Sequence, residues 1–286
     1  DYVLGLEVVL ADGGIVRLGS RTHKNKTGFD FARFFTGSEG LLGVVTEATL
    51  KLLPLPPFSA ALSIGFGSIA AAAKGIDLIF RAGFLPSALE IADEFTLEAA
   101  TQRTGNDRLS GCCGHLIVEL DGQERSVRGE IRDVKKLLTR LKPRFVDQAF
   151  GKQAVESIWQ LRREFSYSLR DTGLVKLNQD IVVPRGRLIE LLAFADRLQK
   201  KHSIPVACFG HAGDGNIHVN VMLDDAKSGR MKFRNAALDE LFRWVVKSGG
   251  VITGEHGIGS GKIKYMEAEH GDSLDLMRQI KQAFDP

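Results

Sequence analysis

The chain has 286 residues, of which 44% are hydrophobic and 26% charged, and this is the composition of an ordinary globular protein with one large domain or two. Its formal net charge of +3 is too small to indicate a nucleic-acid partner, and no run of Lys or Arg with interleaved aromatic residues occurs. No apolar run approaches the ~18 residues that a transmembrane helix needs, and an odd number of cysteines (Cys112, Cys113 and Cys208) favours reduced thiols in a cytosolic protein.

The amino-terminal part of the chain is rich in strand and turn signals. Residues 3–18 predict a β-hairpin, since two β-rich runs flank an Asp-Gly-Gly turn. Residues 37–43 form a glycine-rich turn, and the Val-Val-Thr-Glu-Ala-Thr-Leu run of residues 44–50 predicts a buried strand after it. Glycines let a backbone run close to a ligand, but this turn lacks the spacing of a Rossmann loop and is alone a weak sign of nucleotide binding. The Pro-Leu-Pro-Pro run at 54–57 predicts a domain boundary.

From residue 58 onward, predicted strands alternate with amphipathic helices. Repeated β-α-β units combined with antiparallel hairpins predict an α+β fold of ferredoxin-like type, with helices on one face of an antiparallel sheet. The other face would then be free to cover a site. The predicted strands are 58–66, 87–92, 115–120, 145–150 and 179–183, and the predicted helices are 68–82, 127–141 and 188–202.

A helix predicted over residues 152–169 carries a polar stripe. Trp159, Arg162 and Ser166 are spaced i, i+3 and i+7, which places them on one side of the helix. An arginine beside a tryptophan is usually a surface residue whose stem covers apolar area. If it faced a metal site, Arg162 would instead be a bidentate anchor for a carboxylate. The sequence leaves both interpretations open.

Residues 204–223 predict a β-hairpin with two histidines near its tip. With Asp214 and Gly215 as a two-residue turn, His211 would lie directly opposite His218, with Cβ atoms about 5 Å apart. Two imidazoles at that separation can share a metal ion, and Glu255 would complete three ligands with one position open. The alternative is a cross-strand aromatic pair on a polar surface.

The glycine-framed segment 254–261 contributes Glu255 and a second candidate, His256. It is not a Walker A loop, because His256 stands where the first glycine should be. Two helices are predicted around it, one near 233–245 and one after residue 272, the latter with Leu274, Met277, Ile280 and Phe284 facing inward.

Two chemistries fit these residues equally well. A metal-bound water with a general base would make a hydrolase. A metal that polarises a substrate hydroxyl, with His256 as the base, would prepare an alcohol carbon for hydride loss to a cofactor. The glycine-rich turn favours the second, and a non-catalytic cap or assembly module is a third possibility.

Three motifs resemble one protein family. They are Thr-Gly-Ser-Glu-Gly-Leu-Leu-Gly-Val-Val-Thr-Glu-Ala-Thr-Leu (36–50), Gly-His-Ala-Gly-Asp-Gly-Asn-Ile-His (210–218) and Gly-Glu-His-Gly-Ile-Gly (254–259). Together they resemble FAD-linked oxidases of the vanillyl-alcohol oxidase (PCMH) type, and most of all the D-2-hydroxyacid dehydrogenases that act on glycolate, D-lactate or D-2-hydroxyglutarate. The resemblance implies the second half of an FAD-binding domain (1–57), a ferredoxin-like α+β substrate or cap domain with an antiparallel sheet (58–269) and a helix that returns to the FAD domain (270–286).

The same resemblance implies roles for individual residues. His211, His218 and Glu255 would bind a divalent metal (Zn, Mn or Fe), and His256 would take the hydroxyl proton while hydride passes to the flavin. The remaining implied contacts are Arg162, Ser166, Lys176, Asn178 and Asn216 for the substrate, and Ser38, Glu39, Gly40, Gly43, Val44 and Val45 for FAD.

Family members carry further sequence on both sides of the matched segment, including the flavin pyrophosphate loop. The chain as given is therefore expected to bind FAD weakly or not at all. The expected partners are a small 2-hydroxyacid, an iron–sulfur or other electron-acceptor subunit and a second copy in a homodimer. The expected location is the cytoplasm, with peripheral attachment to the inner face of the membrane through the acceptor.

Overall fold

A computed structural model describes residues 2–224 and 230–286, and the backbone divides into two compact units. We call Asp1–Leu55 together with Gly261–Pro286 the small unit, and Pro56–Ser260 the large unit. Within the described residues, no helix is long and apolar enough to cross a membrane.

The small unit is built on a three-stranded antiparallel sheet in the order β2-β1-β3. Apolar side chains of β1 pack with Phe35 and Leu42, and Ile280 and Phe284 of the last helix lie against this core. Asp30 caps the first helix, since its side chain accepts a hydrogen bond from the Arg33 backbone. The elements are β1 (Val3–Val9), β2 (Ile15–Gly19), α1 (Phe31–Phe35), β3 (Val44–Leu50), and, at the carboxyl end, α8 (Met266–His270) and α9 (Ser273–Phe284).

Two sequence expectations for the small unit are wrong. Strand β3 forms as predicted at the edge of the sheet, but it is not buried: Val44 is 64% exposed and Val45 46%. In α9, Met277 was expected to face inward and is 42% exposed, because only Ile280 and Phe284 reach the core.

The first half of the large unit has the β-α-β-β-α-β order of a ferredoxin-like motif. Its strands adopt the order β7-β4-β6-β5, and all neighbours are antiparallel. Helix α3 is inserted between the second and third strands. The elements are β4 (Phe58–Phe66), α2 (Ile69–Arg81), β5 (Ala88–Asp93), α3 (Glu94–Thr104), β6 (Gly114–Gly122), α4 (Glu124–Thr139) and β7 (Phe145–Phe150).

The second half repeats this plan after the long helix α5. Strands β9, β10 and β8 lie side by side, and a single antiparallel bridge between Val182 and Val251 stands where the fourth strand would be. Pairing of β5 with β9 joins the two halves into one seven-stranded sheet, so the predicted α+β fold with an antiparallel sheet is confirmed. The elements are α5 (Lys152–Asp171), β8 (Val175–Val182), α6 (Leu188–His202), β9 (Val206–His211), β10 (Asn216–Leu223) and α7 (Arg230–Lys247).

Helices cover both faces of the large sheet, not one as expected. On the second face, α5 packs through Phe165 and Leu169 against Phe209 and Ala92, and α3 completes this core. Side chains at alternate positions of β5, β9, β10 and β8 point towards α5, because antiparallel partners share a face. The candidate site lies on this face.

Candidate metal and substrate site

The hairpin that carries the two histidines has a different register from the predicted one. His211 pairs with Asn216, and His218 pairs with Phe209, so the two histidines are diagonal neighbours. The turn is longer than two residues because the backbone nitrogens of both Asp214 and Gly215 donate to the carbonyl oxygen of His211. A shift by an even number of residues keeps side chains on the same face, and the imidazole centroids are still only 5.7 Å apart.

His211, His218 and Glu255 form a cluster with the geometry of a metal site. One ligand-type atom from each lies within 4.8 Å of the others. His218 is buried, and its Nδ1 atom has no hydrogen-bond partner among the described residues. Two imidazoles and a carboxylate suit Zn²⁺, Mn²⁺ or Fe²⁺, and three protein ligands leave a position open for substrate. The residues present therefore fit a divalent metal.

The protonation of the two histidines follows from their surroundings. Burial lowers the pKa of His218 to about 4, so that its imidazole is neutral at pH 7, as a metal ligand must be. The hydrogen bond with Glu90 raises the pKa of His211. That bond engages Nδ1 of His211 and leaves its Nε2 for another partner.

Glu90 is a member of this site that the sequence reasoning missed. Its side chain is 5% exposed, and each carboxylate oxygen has one partner: Oε1 is 2.5 Å from His211 Nδ1, and Oε2 accepts from Arg162 Nε at 2.5 Å. Burial opposes ionisation of Glu90, but the hydrogen bond from His211 and the charge of Arg162 outweigh it, so the pKa of Glu90 lies below its ordinary value. The sequence signal for Glu90 was a single carboxylate among the apolar residues 88–92 of β5.

Arg162 extends from α5 into the interior of the large unit. Its side chain is 12% exposed, and its guanidinium carbon lies 4.9 Å from the Phe209 ring centroid. Because Nε donates to Glu90, the terminal nitrogens are left for another acceptor. Trp159, one turn earlier, donates to Glu119 and does not enter the metal cluster.

Lys176 and Ser166 form a hydrogen-bonded pair near the Phe209 ring. The Lys176 ammonium donates to the Ser166 hydroxyl at 2.8 Å and lies 5.5 Å from the Phe209 centroid. Burial, followed by the charges of Arg170 and Arg162, lowers the pKa of Lys176. The structure therefore brings a second cation close to Arg162.

Two asparagines continue the polar surface along β8 and β10. Asn178 pairs across the strands with Asn220, which the sequence reasoning did not single out. The Oδ1 atoms of both are buried and have no hydrogen-bond partner among the described residues. Buried acceptors of this kind are normally satisfied by water or ligand. Asn216 differs, since its amide nitrogen donates to Asp180 and to the Ile181 carbonyl.

Asp180 anchors the segment that carries Glu255 and His256. Its buried Oδ2 accepts hydrogen bonds from the Thr253 hydroxyl and from the backbone nitrogens of Gly254, Glu255 and His256, at 2.8–3.0 Å. Although burial works against ionisation, the hydrogen bonds that Asp180 accepts hold its pKa well below the usual range. The sequence did not single out Asp180. The only signal was one acidic residue in β8, with a polar residue before it and apolar residues after it.

His256 stands beside the metal cluster. Its ring stacks on that of His218, with centroids 5.5 Å apart and planes at 17°, and its Nε2 is 3.4 Å from Glu255 Oε1. Its side chain is about half exposed, in contrast to that of His218. It is therefore placed to exchange protons at the open side of the cluster.

The glycine-rich turn lies in the small unit and is an open stretch of backbone. Gly40 has φ 79°, and a Cβ there would meet no atom within 4 Å, whereas a Cβ on Gly43 would meet Val8 Cγ1 at 2.7 Å. Gly43 is thus required for packing against β1, and Gly40 lies on a surface that a flat ligand can approach. Ser38, Glu39, Val44 and Val45 are close to these glycines in sequence and are at most half-buried.

Comparison with known proteins finds one family whose members match most of the chain. Residues 55–286 match the family described as FAD linked oxidases, C-terminal domain. The glycolate oxidase subunit GlcD of Bacillus subtilis is 33% identical over 287 residues, and the mitochondrial D-lactate dehydrogenase (cytochrome) of Arabidopsis thaliana is 30% identical over 289. Both matches cover 100% of this chain but only 61% and 51% of those proteins. The chain thus spans little more than half the length of these relatives.

Solved structures with the same fold include an oxidase and a methylhydroxylase. The 4-ethylphenol oxidase of Gulosibacter chungangensis matches with a TM-score of 0.72, and p-cresol methylhydroxylase with 0.69; each is 17% identical. The matches cover 100% of this chain and 64% and 63% of those chains. At this identity the likeness establishes the fold alone.

Proposed function

The chain belongs to the FAD-linked oxidases through their C-terminal domain, and we propose that the enzyme containing it oxidises a D-2-hydroxyacid to the 2-oxoacid with the help of a divalent metal. The observation that carries this proposal is the cluster of His211, His218 and Glu255, in which ligand-type atoms lie within 4.8 Å of one another. Glu90 connects this cluster to the buried cation Arg162. The hydroxyl oxygen of a 2-hydroxyacid can bind a metal held by this cluster, and its carboxylate can bind Arg162.

The residues divide the work of binding and proton transfer. Arg162 grips the substrate carboxylate through its terminal nitrogens, and Lys176, held by Ser166, adds a second positive charge. Asn178 contributes an amide oxygen that has no other partner among the described residues. The His256 imidazole accepts the proton of the substrate hydroxyl, and its stacking on His218 orients the ring.

The cofactors supply the steps that side chains cannot. When bound, the metal would supply polarisation of the substrate hydroxyl, and FAD would supply the hydride acceptor for the α-carbon. His211, His218 and Glu255 would hold the metal. FAD would contact the surface formed by Ser38, Glu39, Gly40, Gly43, Val44 and Val45.

We further propose the domain roles and partners of the whole enzyme. Residues 1–57 and 270–286 belong to the FAD-binding domain, and residues 58–269 form the substrate domain. The relative from Bacillus subtilis is named a subunit, which supports a partner subunit for this enzyme, and we propose that this partner accepts the electrons.

The test is anaerobic flavin reduction in the full-length FAD-containing enzyme. D-Lactate, D-2-hydroxyglutarate or glycolate should bleach the flavin band, and the L-enantiomers of the first two serve as controls. His256→Asn should slow reduction by about 10²–10⁴-fold, the usual contribution of a general base. No bleaching with any of the three acids would refute the proposal and favour a metal-dependent hydrolase.

A second test addresses the metal and requires no turnover. The chain should bind Zn²⁺ or Mn²⁺ with a stoichiometry of one after chelator treatment, measured by elemental analysis and titration calorimetry. His211→Ala should abolish this binding, whereas His202→Ala, at a histidine paired with Glu240 on α7, should not. Equal metal content in both variants would remove the basis of the proposed site.

A further inference from the structure

Glu90 lies at the centre of the candidate site, between a metal ligand and an anion anchor. It stands directly opposite His211 in the pairing of β5 with β9, so the backbone register itself brings the two side chains together. Arg162 approaches from α5 and reaches the second carboxylate oxygen. One 5%-exposed carboxylate therefore has one oxygen for each partner.

We propose that Glu90 is a positioning residue that couples the metal site to the carboxylate-binding site, by fixing the His211 tautomer with one oxygen and the Arg162 orientation with the other. This inference rests on the proposed function. Glu90, which is not itself a proposed metal ligand, would keep the metal site and the carboxylate-binding site correctly placed relative to each other.

The chemistry at His211 requires a hydrogen-bond acceptor opposite Nδ1. When Nδ1–H donates to a carboxylate, the proton is fixed on Nδ1, and the Nε2 lone pair is free for a metal. An amide nitrogen in the same place would face Nδ1 as a donor. It would favour the tautomer with the proton on Nε2, which cannot bind metal through that atom.

Arg162 also requires a hydrogen-bond acceptor, and this is the other carboxylate oxygen of Glu90. Nε of Arg162 donates to Oε2 of Glu90, and this contact restricts the orientation of the planar guanidinium. A glutamine has a single acceptor oxygen, so it can serve His211 or Arg162 but not both. Arginine is always a donor, whereas a neutral imidazole can accept at Nδ1, so the oxygen of Glu90→Gln should face Arg162 and its NH₂ group should face His211.

Glu119 provides a matched control on the same face of the sheet. It lies on the neighbouring strand β6 and accepts a hydrogen bond from Trp159, one turn before Arg162 on the same helix. Its side chain belongs to neither the metal cluster nor the cation pair. Glu119→Gln therefore changes a carboxylate that contacts α5 without touching the coupling.

The first measurement is metal affinity in the absence of FAD and substrate. In a chelator competition with Zn²⁺, Glu90→Gln should raise the dissociation constant about 10–100-fold, as the loss of an outer-shell partner usually does. Glu119→Gln should stay within about threefold of the wild type, and Glu90→Asp, which keeps both acceptors on a shorter stem, should recover part of the loss. An unchanged constant in Glu90→Gln, or an equal loss in Glu119→Gln, overturns the proposal.

The second measurement is the binding of pyruvate, a 2-oxoacid, to the zinc-loaded variants by calorimetry. Glu90→Gln should weaken it at least about tenfold, because the NH₂ group displaces His211 at the metal end of the site. Wild-type pyruvate affinity in Glu90→Gln refutes the coupling. If the full-length enzyme oxidised none of the hydroxyacids while zinc affinity still depended on Glu90, the proposed reaction would fail and the positioning role of Glu90 would stand.

A measurement on the wild type keeps the proposal testable even if the variants do not fold. Long-range ¹⁵N–¹H correlation spectra of the zinc-loaded protein should identify His211 as protonated on Nδ1. A His211 ring protonated on Nε2 contradicts the assignment without any substitution.

Discussion

Replacing Asp180 by asparagine should release the segment that carries Glu255 and His256. Oδ2 of Asp180 accepts from the Thr253 hydroxyl and from three consecutive backbone amides, at 2.8–3.0 Å. In Asp180→Asn an NH₂ group faces either these donors or the Asn216 amide nitrogen, which donates to Oδ1. Hydrogen bonds to a charged group contribute about 1.5–3 kcal/mol each. A net loss of about 2 kcal/mol in the free energy of opening corresponds to about 30-fold easier opening.

Amide hydrogen exchange measures this opening directly. Peptides covering residues 250–260 should exchange about 30-fold faster in Asp180→Asn, while amides of the central strand β6 should keep their wild-type protection. Asp214→Asn is the matched control. Its Oδ1 accepts only a local hydrogen bond from the Asn216 backbone, which an asparagine can also accept. Unchanged exchange at 253–256, or equal acceleration in β6, would refute the anchoring role of Asp180.

Two further predictions concern the stability of the large unit. Burial lowers the pKa of His115 to about 4. Between pH 6.5 and 4 the imidazole is therefore protonated in the unfolded chain but largely neutral in the folded chain. Because protonation stabilises the unfolded chain, the free energy of unfolding should fall by about 3 kcal/mol as pH drops from 6.5 to 4. His115→Gln should lack this share of the pH dependence in urea titrations, and parallel pH profiles of the two proteins would contradict it. Gly215 has φ 90°, and a Cβ there would lie 2.1 Å from the Val183 carbonyl oxygen, so Gly215→Ala should cost at least about 2 kcal/mol. Gly213→Ala in the same turn meets only ordinary contacts and should change stability by less than about 0.5 kcal/mol, and equal losses in the two variants would be inconsistent with a steric cause.

Much of the secondary structure of the large unit was readable from periodicity. The apolar spacing predicted α6 over residues 188–202 and a strand over 145–150, and both elements have those bounds. Helix α3, Glu94–Thr104, was missed because its apolar residues do not form a clear stripe; Asp93 caps it, and it is buried by α5 and β9. The spacing of apolar residues thus predicted the elements that have one apolar face. It did not predict a helix that is buried by contacts on several sides.

The register of the histidine hairpin could not be obtained from the turn signal alone. An Asp-Gly pair favours a two-residue turn, but the backbone nitrogen of Val183, directly after β8, donates to the Gly215 carbonyl. That tertiary contact lengthens the turn and moves His211 from opposite His218 to a diagonal position. The even shift preserved the shared face, which is why the two histidines still meet.

The sequence by itself determined the fold class and the chemical types at the site, because strand alternation, helix periodicity and the three motifs are local properties of the chain. Tertiary structure alone decided which charges meet. Glu90 and Arg162 are 72 residues apart in sequence, and Asp180 and His256 are 76 apart. A buried carboxylate is stable only where donors converge on it, and that convergence is set by how β5, β9 and α5 pack, which no short stretch of sequence encodes.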